Sequence, residues 1–230
     1  MATFLTGDTH NNFDRLSFRK WKPSKTLTKK DLLIILGDCG LIFNNTKTKN
    51  EKYLTSWLND RPYSIAFVCG NHENHPRLYS LPQKEIFGGT VGVVAETVYH
   101  LKRGEIYTID DKKFFIFGGA TSIDRSLRIS GVSWWKEEVA SAAEMDHGLQ
   151  KLEEHQYTVD YILAHTAPED VAQVLIKQFK SFYVDNDPTR KYLEHVCGCT
   201  NFKDFYCGHW HVESTIDKYH FLYECIQQIL

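Results

Sequence analysis

Four apolar runs in this chain of 230 residues end in a glycine followed by side chains able to hold a metal, and a fifth ends in a histidine. Residues 2–6 lead into Gly7-Asp8-Thr9-His10, and 32–36 into Gly37-Asp38. Residues 64–69 lead into Gly70-Asn71-His72-Glu73, 159–164 into His165, and 205–207 into Gly208-His209-Trp210-His211. Asp8 and His10 stand two apart, so extended backbone points both to one side. Gly70 lets the chain turn sharply or approach something closely, and delivers Asn71 and His72 together. Collected, Asp8, His10, Asp38, Asn71, His165, His209 and His211 are two carboxylates, four imidazoles and an amide. That mixture of hard oxygen and borderline nitrogen suits Mn²⁺, Fe, Zn²⁺ or Ni²⁺ and fits poorly with a soft thiolate site. Seven donors exceed what one tetrahedral zinc takes. They suit two ions sharing a carboxylate, which at about 3.5–4 Å apart clamp a phosphate oxygen and generate hydroxide at neutral pH.

The elements that must carry these donors follow from hydrophobic patterning. The continuous run 32–36 reads as a parallel strand covered on both faces, and 64–69 as a buried strand. Residues 12–21 read as a short helix with Phe13 and Leu16 on its apolar side, and 52–58 as an amphipathic helix after an exposed loop at 44–50. The first 73 residues are therefore βαβαβ, with each polar tip at the carboxyl end of a strand, where open α/β sheets bind ligands. Strands at 91–94, 98–101, 105–109 and 113–117, with Asp110-Asp111 as a hairpin turn, read as a meander. A meander predicts a second, mixed or antiparallel sheet. Ser141 and Glu144 form a capping box for a helix to about 155. Pro168, with Glu169 and Asp170 in the first turn, opens a helix to about 179. Asp187-Pro188 opens another to about 196, and 219–226 reads as a final strand.

Length favours one domain over the whole chain, 1–230. A net charge of −2 gives no global basic field for nucleic acid. Cys69, Cys207 and Cys225 lie in or at the end of apolar strands, as small hydrophobes, and Cys197-Gly198-Cys199 lacks the spacer of a zinc or redox motif. The pattern is that of a reduced, cytoplasmic protein without signal peptide or membrane span.

In order and spacing, Asp8-x-His10, Gly37-Asp38, Gly70-Asn71-His72-Glu73, His165 and Gly208-His209-x-His211 resemble the calcineurin-like metallophosphoesterase superfamily, over nearly the whole chain. The resemblance implies a four-layer α-β-β-α sandwich of two mixed sheets flanked by helices. It implies that Asp8, His10 and His211 bind one metal, that Asn71, His165 and His209 bind a second, and that Asp38 bridges both. His72 would sit beside the metals and protonate the leaving oxygen or hold the phosphate. The chemistry implied is in-line attack of metal hydroxide on phosphorus, with two divalent ions, Mn²⁺ placed before Fe, Zn²⁺ and Ni²⁺.

One departure bears on substrate. The protein phosphatases of the superfamily carry an Asp-Arg-Gly shortly after motif II, the Asp orienting the motif-III histidine and the Arg gripping phosphate. Here Leu41 stands at the Asp position and no Arg follows. Small phosphodiesters, nucleotides, cyclic nucleotides or nucleic-acid ends are therefore the expected substrates. A phosphomonoesterase is the alternative, and a non-catalytic scaffold the reading from another class. Arg125 and Arg128 offer substitute phosphate grips or belong to a solvated loop. Trp134-Trp135 either stack a base or pack in the core. Glu73 and Asn74 either brace the ligands or cap a helix. His75 reads as substrate-facing or as a surface turn.

Overall fold

The computed structural model describes residues 1–179 and 186–230. Two mixed sheets face each other. The seven-stranded sheet is built on β1 (Thr3–Thr6), β2 (Leu32–Ile35), β3 (Ser64–Val68), β4 (Gln83–Ile86), β5 (Gly89–Ala95) and β6 (Val98–Leu101). The six-stranded sheet holds β7 (Ile106–Ile109), β8 (Lys112–Phe117), β9 (Tyr161–Ala164), β10 (Asp204–Cys207), β11 (Ser214–Ile216) and β12 (Tyr219–Phe221). The last strand, β13 (Gln227–Gln228), returns to the first sheet. The orders are β13-β1-β2-β3-β6-β5-β4 and β11-β12-β10-β9-β8-β7. The central strands β1, β2, β3 and β6 run parallel, as do β8, β9, β10 and β12.

The continuous apolar runs are explained by what lies on each face. In β2, Ile34 points between the sheets with Ala66 and Val68 of β3, while Leu33, Ile35, Ile65 and Phe67 point outward. In β8 and β9, Phe114, Ile116, Tyr161 and Leu163 meet them from the other sheet, and Phe115, Phe117, Ile162 and Ala164 face away. Successive residues alternate faces, so both sets must be apolar. The outer layer of the first sheet is α1 (Lys49–Asn59) and α2 (His75–Tyr79), through Leu58 and Leu78. The outer layer of the second is α3 (Ala142–Glu154), α4 (Glu169–Phe179) and α5 (Pro188–Cys199), through Leu152, Leu175 and Leu193. The four-layer α-β-β-α sandwich is thus the observed fold.

Several local expectations are corrected. Residues 12–21 make only a single 3-10 turn, Asp14–Leu16, within a run of turns; Phe13, Leu16 and Trp21 are still buried. The 91–117 meander does not form a sheet of its own: β5 and β6, with β4 before them, extend the first sheet, and β7 and β8 start the second. The 219–226 run is broken, with β12 ending at Phe221 and Cys225 exposed, its thiol donating to Glu213 Oε2 at 2.9 Å. The capping box of Ser141 and Glu144 is present. Asp110 and Asp111 both adopt positive φ, 50° and 59°, as a tight hairpin between β7 and β8 requires. Trp135 packs against Phe43 in the interior, with ring centroids 5.5 Å apart. Among the described residues no helix is long and apolar enough to cross a membrane.

Candidate metal centre

The carboxyl ends of β1, β2, β3, β9 and β10 converge at one edge of the sandwich and bring all seven candidate donors together. Asp38 sits at the middle. Its Oδ2 lies 3.9 Å from His10 Nε2, and His10 Nε2 lies 3.0 Å from His211 Nε2. Its Oδ1 lies 3.4 Å from His165 Nε2, which lies 3.0 Å from Asn71 Oδ1. Asp8 Oδ1 is 3.8 Å from His211 Nε2 and 3.9 Å from His165 Nδ1, and the His165 and His209 rings are 4.9 Å apart. Two donors on one ion, each at about 2.0–2.2 Å, stand roughly 3–4 Å from each other. The spacings among Asp8, His10, His211, Asp38, Asn71 and His165 Nε2 therefore fit shared ions.

Backbone conformation explains how short tips reach a common point. His10, Asp38, His209 and His211 all adopt positive φ, between 43° and 69°. Non-glycine residues held there carry strain that a functional site sustains. Gly208 is demanded by close approach: a Cβ there would lie 2.7 Å from Asp8 Oδ2 and 2.8 Å from Leu36 O. A Cβ at Gly70 would likewise overlap the Asp38 carboxylate.

The electrostatics show a site built around missing positive charge. Asp8, Asp38 and Glu73 are buried within reach of one another. Burial pushes the Asp38 carboxyl up to about 7. Burial, then the neighbouring Asp38, pushes Glu73 up to about 8 and Asp8 well above the usual range. The imidazoles go the other way. Burial, then His211, lowers His10 to about 4, and burial lowers His165 to about 4. His209 and His211 are lowered for the same first reason. The imidazoles are thus already neutral, the state that binds a cation, while the raised carboxyls tend to hold protons that a bound cation would displace.

Hydrogen bonding points the same way. His165 Nδ1–H donates to Leu36 O at 2.8 Å, which leaves a bare lone pair on Nε2. That lone pair faces Asn71 Oδ1, also an acceptor, and Asp38 Oδ1. Converging acceptors without a proton between them are the signature of a cation site. The residues present fit divalent ions on chemistry and spacing alike.

A cleft of about 520 Å³ opens over this centre, lined by His72, Asp124, Arg128, Asp187, Arg190 and Trp210 beside the donors. Arg128 reaches into it. Its Nη2 donates to His72 Nε2 at 2.7 Å and its Nε to Asp124 at 2.8 Å. Arg125 does not reach the cleft; it is exposed and lies 5.2 Å over the Trp134 ring. His72 Nε2 is thus an acceptor, and burial with Arg128 beside it lowers the ring to about 3. Its backbone N–H donates to Asp38 Oδ1 at 2.8 Å.

Other expectations resolve differently. Glu73 clamps backbone rather than a ring, accepting from Gly40 N at 2.9 Å and Gly70 N at 2.5 Å. Asn74 caps α2. His75 neither faces substrate nor sits on the surface: it is fully buried, with Nε2 3.1 Å from Gly70 O. Sequence reasoning missed Arg15, which donates to Asp8 O at 3.0 Å and to Tyr223 O. It also missed Tyr223, stacked on His211 with centroids 4.5 Å apart, and buried Arg190, paired with Glu169 at 2.8 Å. Tyr223 follows β12 in the same way that the donors follow their strands, and strand-end position is the one signal that could have found it.

A comparison with curated proteins finds no match. The model of the calcineurin-like phosphoesterase family matches residues 1–213, the span holding every candidate donor and His72, and the chain belongs to that family.

Proposed function

We propose that the chain is a two-metal phosphoesterase acting on phosphodiesters, with Asp8, His10 and His211 holding one ion, Asn71, His165 and His209 the other, and Asp38 shared. The observation that carries this reading is the division of Asp38: Oδ2 faces His10 while Oδ1 faces His165 and its neighbour Asn71. When bound, two divalent ions, Mn²⁺ first among them, supply the Lewis acidity that ionises water at neutral pH and draws charge from a phosphoryl group.

The chain's own residues supply orientation and charge. Arg128 grips a non-bridging phosphate oxygen, replacing the arginine missing after motif II. A phosphate that draws the guanidinium away frees the lone pair of His72 Nε2, which takes up a proton from solvent and passes it to the leaving oxygen. Asp124 holds Arg128 in place at 2.8 Å. The cleft carries the carboxylates of Asp124 and Asp187 beside the arginines Arg128 and Arg190. Arg190 is already paired with Glu169. That balance favours the single charge of a diester over the double charge of a monoester. Nucleotides, cyclic nucleotides or nucleic-acid ends are the substrate class we favour.

The test is hydrolysis of bis-p-nitrophenyl phosphate beside p-nitrophenyl phosphate, with Mn²⁺ and His72→Ala as control. Diester preference that vanishes on chelation is expected. Preference for the monoester would replace this reading with a phosphomonoesterase. Silence on both with metal bound would favour a scaffold.

A further inference from the structure

A short buried chain of hydrogen bonds runs behind the metal centre and ends on Asn71. Glu138 closes a 3-10 turn, Lys136–Glu138, and its side chain is fully buried. Both carboxylate oxygens are taken by Ser122: the backbone N–H donates to Oε1 at 3.0 Å, and Oγ donates to Oε2 at 2.5 Å. Ser122 Oγ in turn accepts from Asn71 Nδ2 at 3.0 Å. Ser122 and Asn71 are themselves 3% and 5% exposed, so bulk water does not compete. Arg103, on the loop after β6, fixes the far end by donating to Glu138 O at 3.2 Å and Gly118 O at 2.9 Å.

The direction of this chain is set by proton count. A carboxylate only accepts, and a serine hydroxyl has one proton. Ser122 spends that proton on Glu138, so it offers Asn71 only a lone pair. Asn71 must therefore present its NH₂ to Ser122, which turns Oδ1 toward His165 Nε2 at 3.0 Å. If the amide turned over, its NH₂ would instead donate to the bare His165 nitrogen. Two candidate ligands would then satisfy each other, and the place of the ion would be closed.

We infer that Glu138 and Ser122 are positioning residues that hold the Asn71 amide with its oxygen toward the second metal, through the buried Glu138–Ser122–Asn71 hydrogen bonds. The inference rests on the two-metal reading above. Glu138→Gln is the discriminating variant: it keeps the shape but brings NH protons to the end of the chain, so the polarity is no longer dictated. Ser122→Ala removes the link.

The experiment is calorimetric titration of Mn²⁺ into metal-stripped wild type and both variants, with melting of the metal-free proteins alongside. Wild type is expected to take two ions. In each variant one site is expected to weaken by about 10–100-fold, the range for lost outer partners of a ligand, while the other keeps its affinity. The metal-free melting temperature of Glu138→Gln should stay close to wild type. Two sites of wild-type affinity in both variants would overturn the inference and leave the two-metal reading standing. Equal weakening of both sites with a lowered metal-free melting temperature would also overturn it, by showing a structural role alone. Wild type that takes up no metal would remove both.

Discussion

Asp38→Asn should make the metal-free protein more stable while abolishing its chemistry. The carboxyl is buried and raised from 3.8 to about 7 by that burial. The unfolded chain loses this proton near pH 4, whereas the folded chain keeps it to about pH 7. Between those values the native state binds more protons, so stability falls as pH rises through this window and levels off above it. At 1.36 kcal/mol per pKa unit, the loss amounts to roughly 4 kcal/mol at pH 7.5. Asparagine carries no such charge and keeps an acceptor for the His72 N–H, though a weaker one than a carboxylate. A net gain of about 2 kcal/mol is reasonable, or about 4–8 °C for a chain of this size. The assay is thermal unfolding in chelator at pH 7.5 and pH 5, then with saturating Mn²⁺. The variant should melt higher at pH 7.5, the difference should shrink at pH 5, and Mn²⁺ should reverse the order by stabilising wild type alone. A variant that melts below wild type in chelator at pH 7.5 would refute the claim that these carboxylates await a cation.

Three further outcomes are expected. Arg128→Ala should lower kcat/KM for a diester by about 10–100-fold, as loss of a charged hydrogen bond does, while Arg125→Ala, which leaves only the Trp134 face, should match wild type in the same steady-state assay. Gly208→Ala should push the Asp8 carboxylate off its position, since the added carbon would meet Oδ2 at 2.7 Å; a loss of about 100-fold in turnover with an unchanged circular dichroism spectrum is expected. His100 is buried beside Phe67, its Nε2 has no partner among the described residues, and burial lowers it to about 3. A lowered imidazole contributes stability above about pH 6.5 that is lost as pH falls toward 3, so His100→Leu should gain roughly 2 kcal/mol over wild type at pH 5, read from denaturant midpoints at pH 5 and 7.5.

What the sequence made legible has a physical cause. Strands β2, β3 and β9 are buried on both faces, so their composition alone gives them away, and the donors follow directly from where those runs stop. Edge strand β4 reads Gln-Lys-Glu-Ile and is largely exposed, so no apolar pattern marks it. The 12–21 segment has apolar residues at helical spacing, but Arg15 reaches back to Asp8 O and Tyr223 O, and the chain stays in turns. Arg125 and Arg128 lie on one loop and read alike as phosphate grips or as solvated residues, and only the fold shows that Arg128 reaches His72 while Arg125 lies over Trp134. Ser122 and Glu138 carry no motif. Their partnership with Asn71 is created by the packing of the loop after β8 against the end of β3, contacts that no local spacing encodes.

The most direct test follows metal content and diester hydrolysis in the same samples as Mn²⁺ is added to stripped protein. Two-metal hydrolysis predicts two ions per chain, with activity rising as the second is taken up and none before metal is added. Full activity without bound metal, or with one ion per chain, would contradict it.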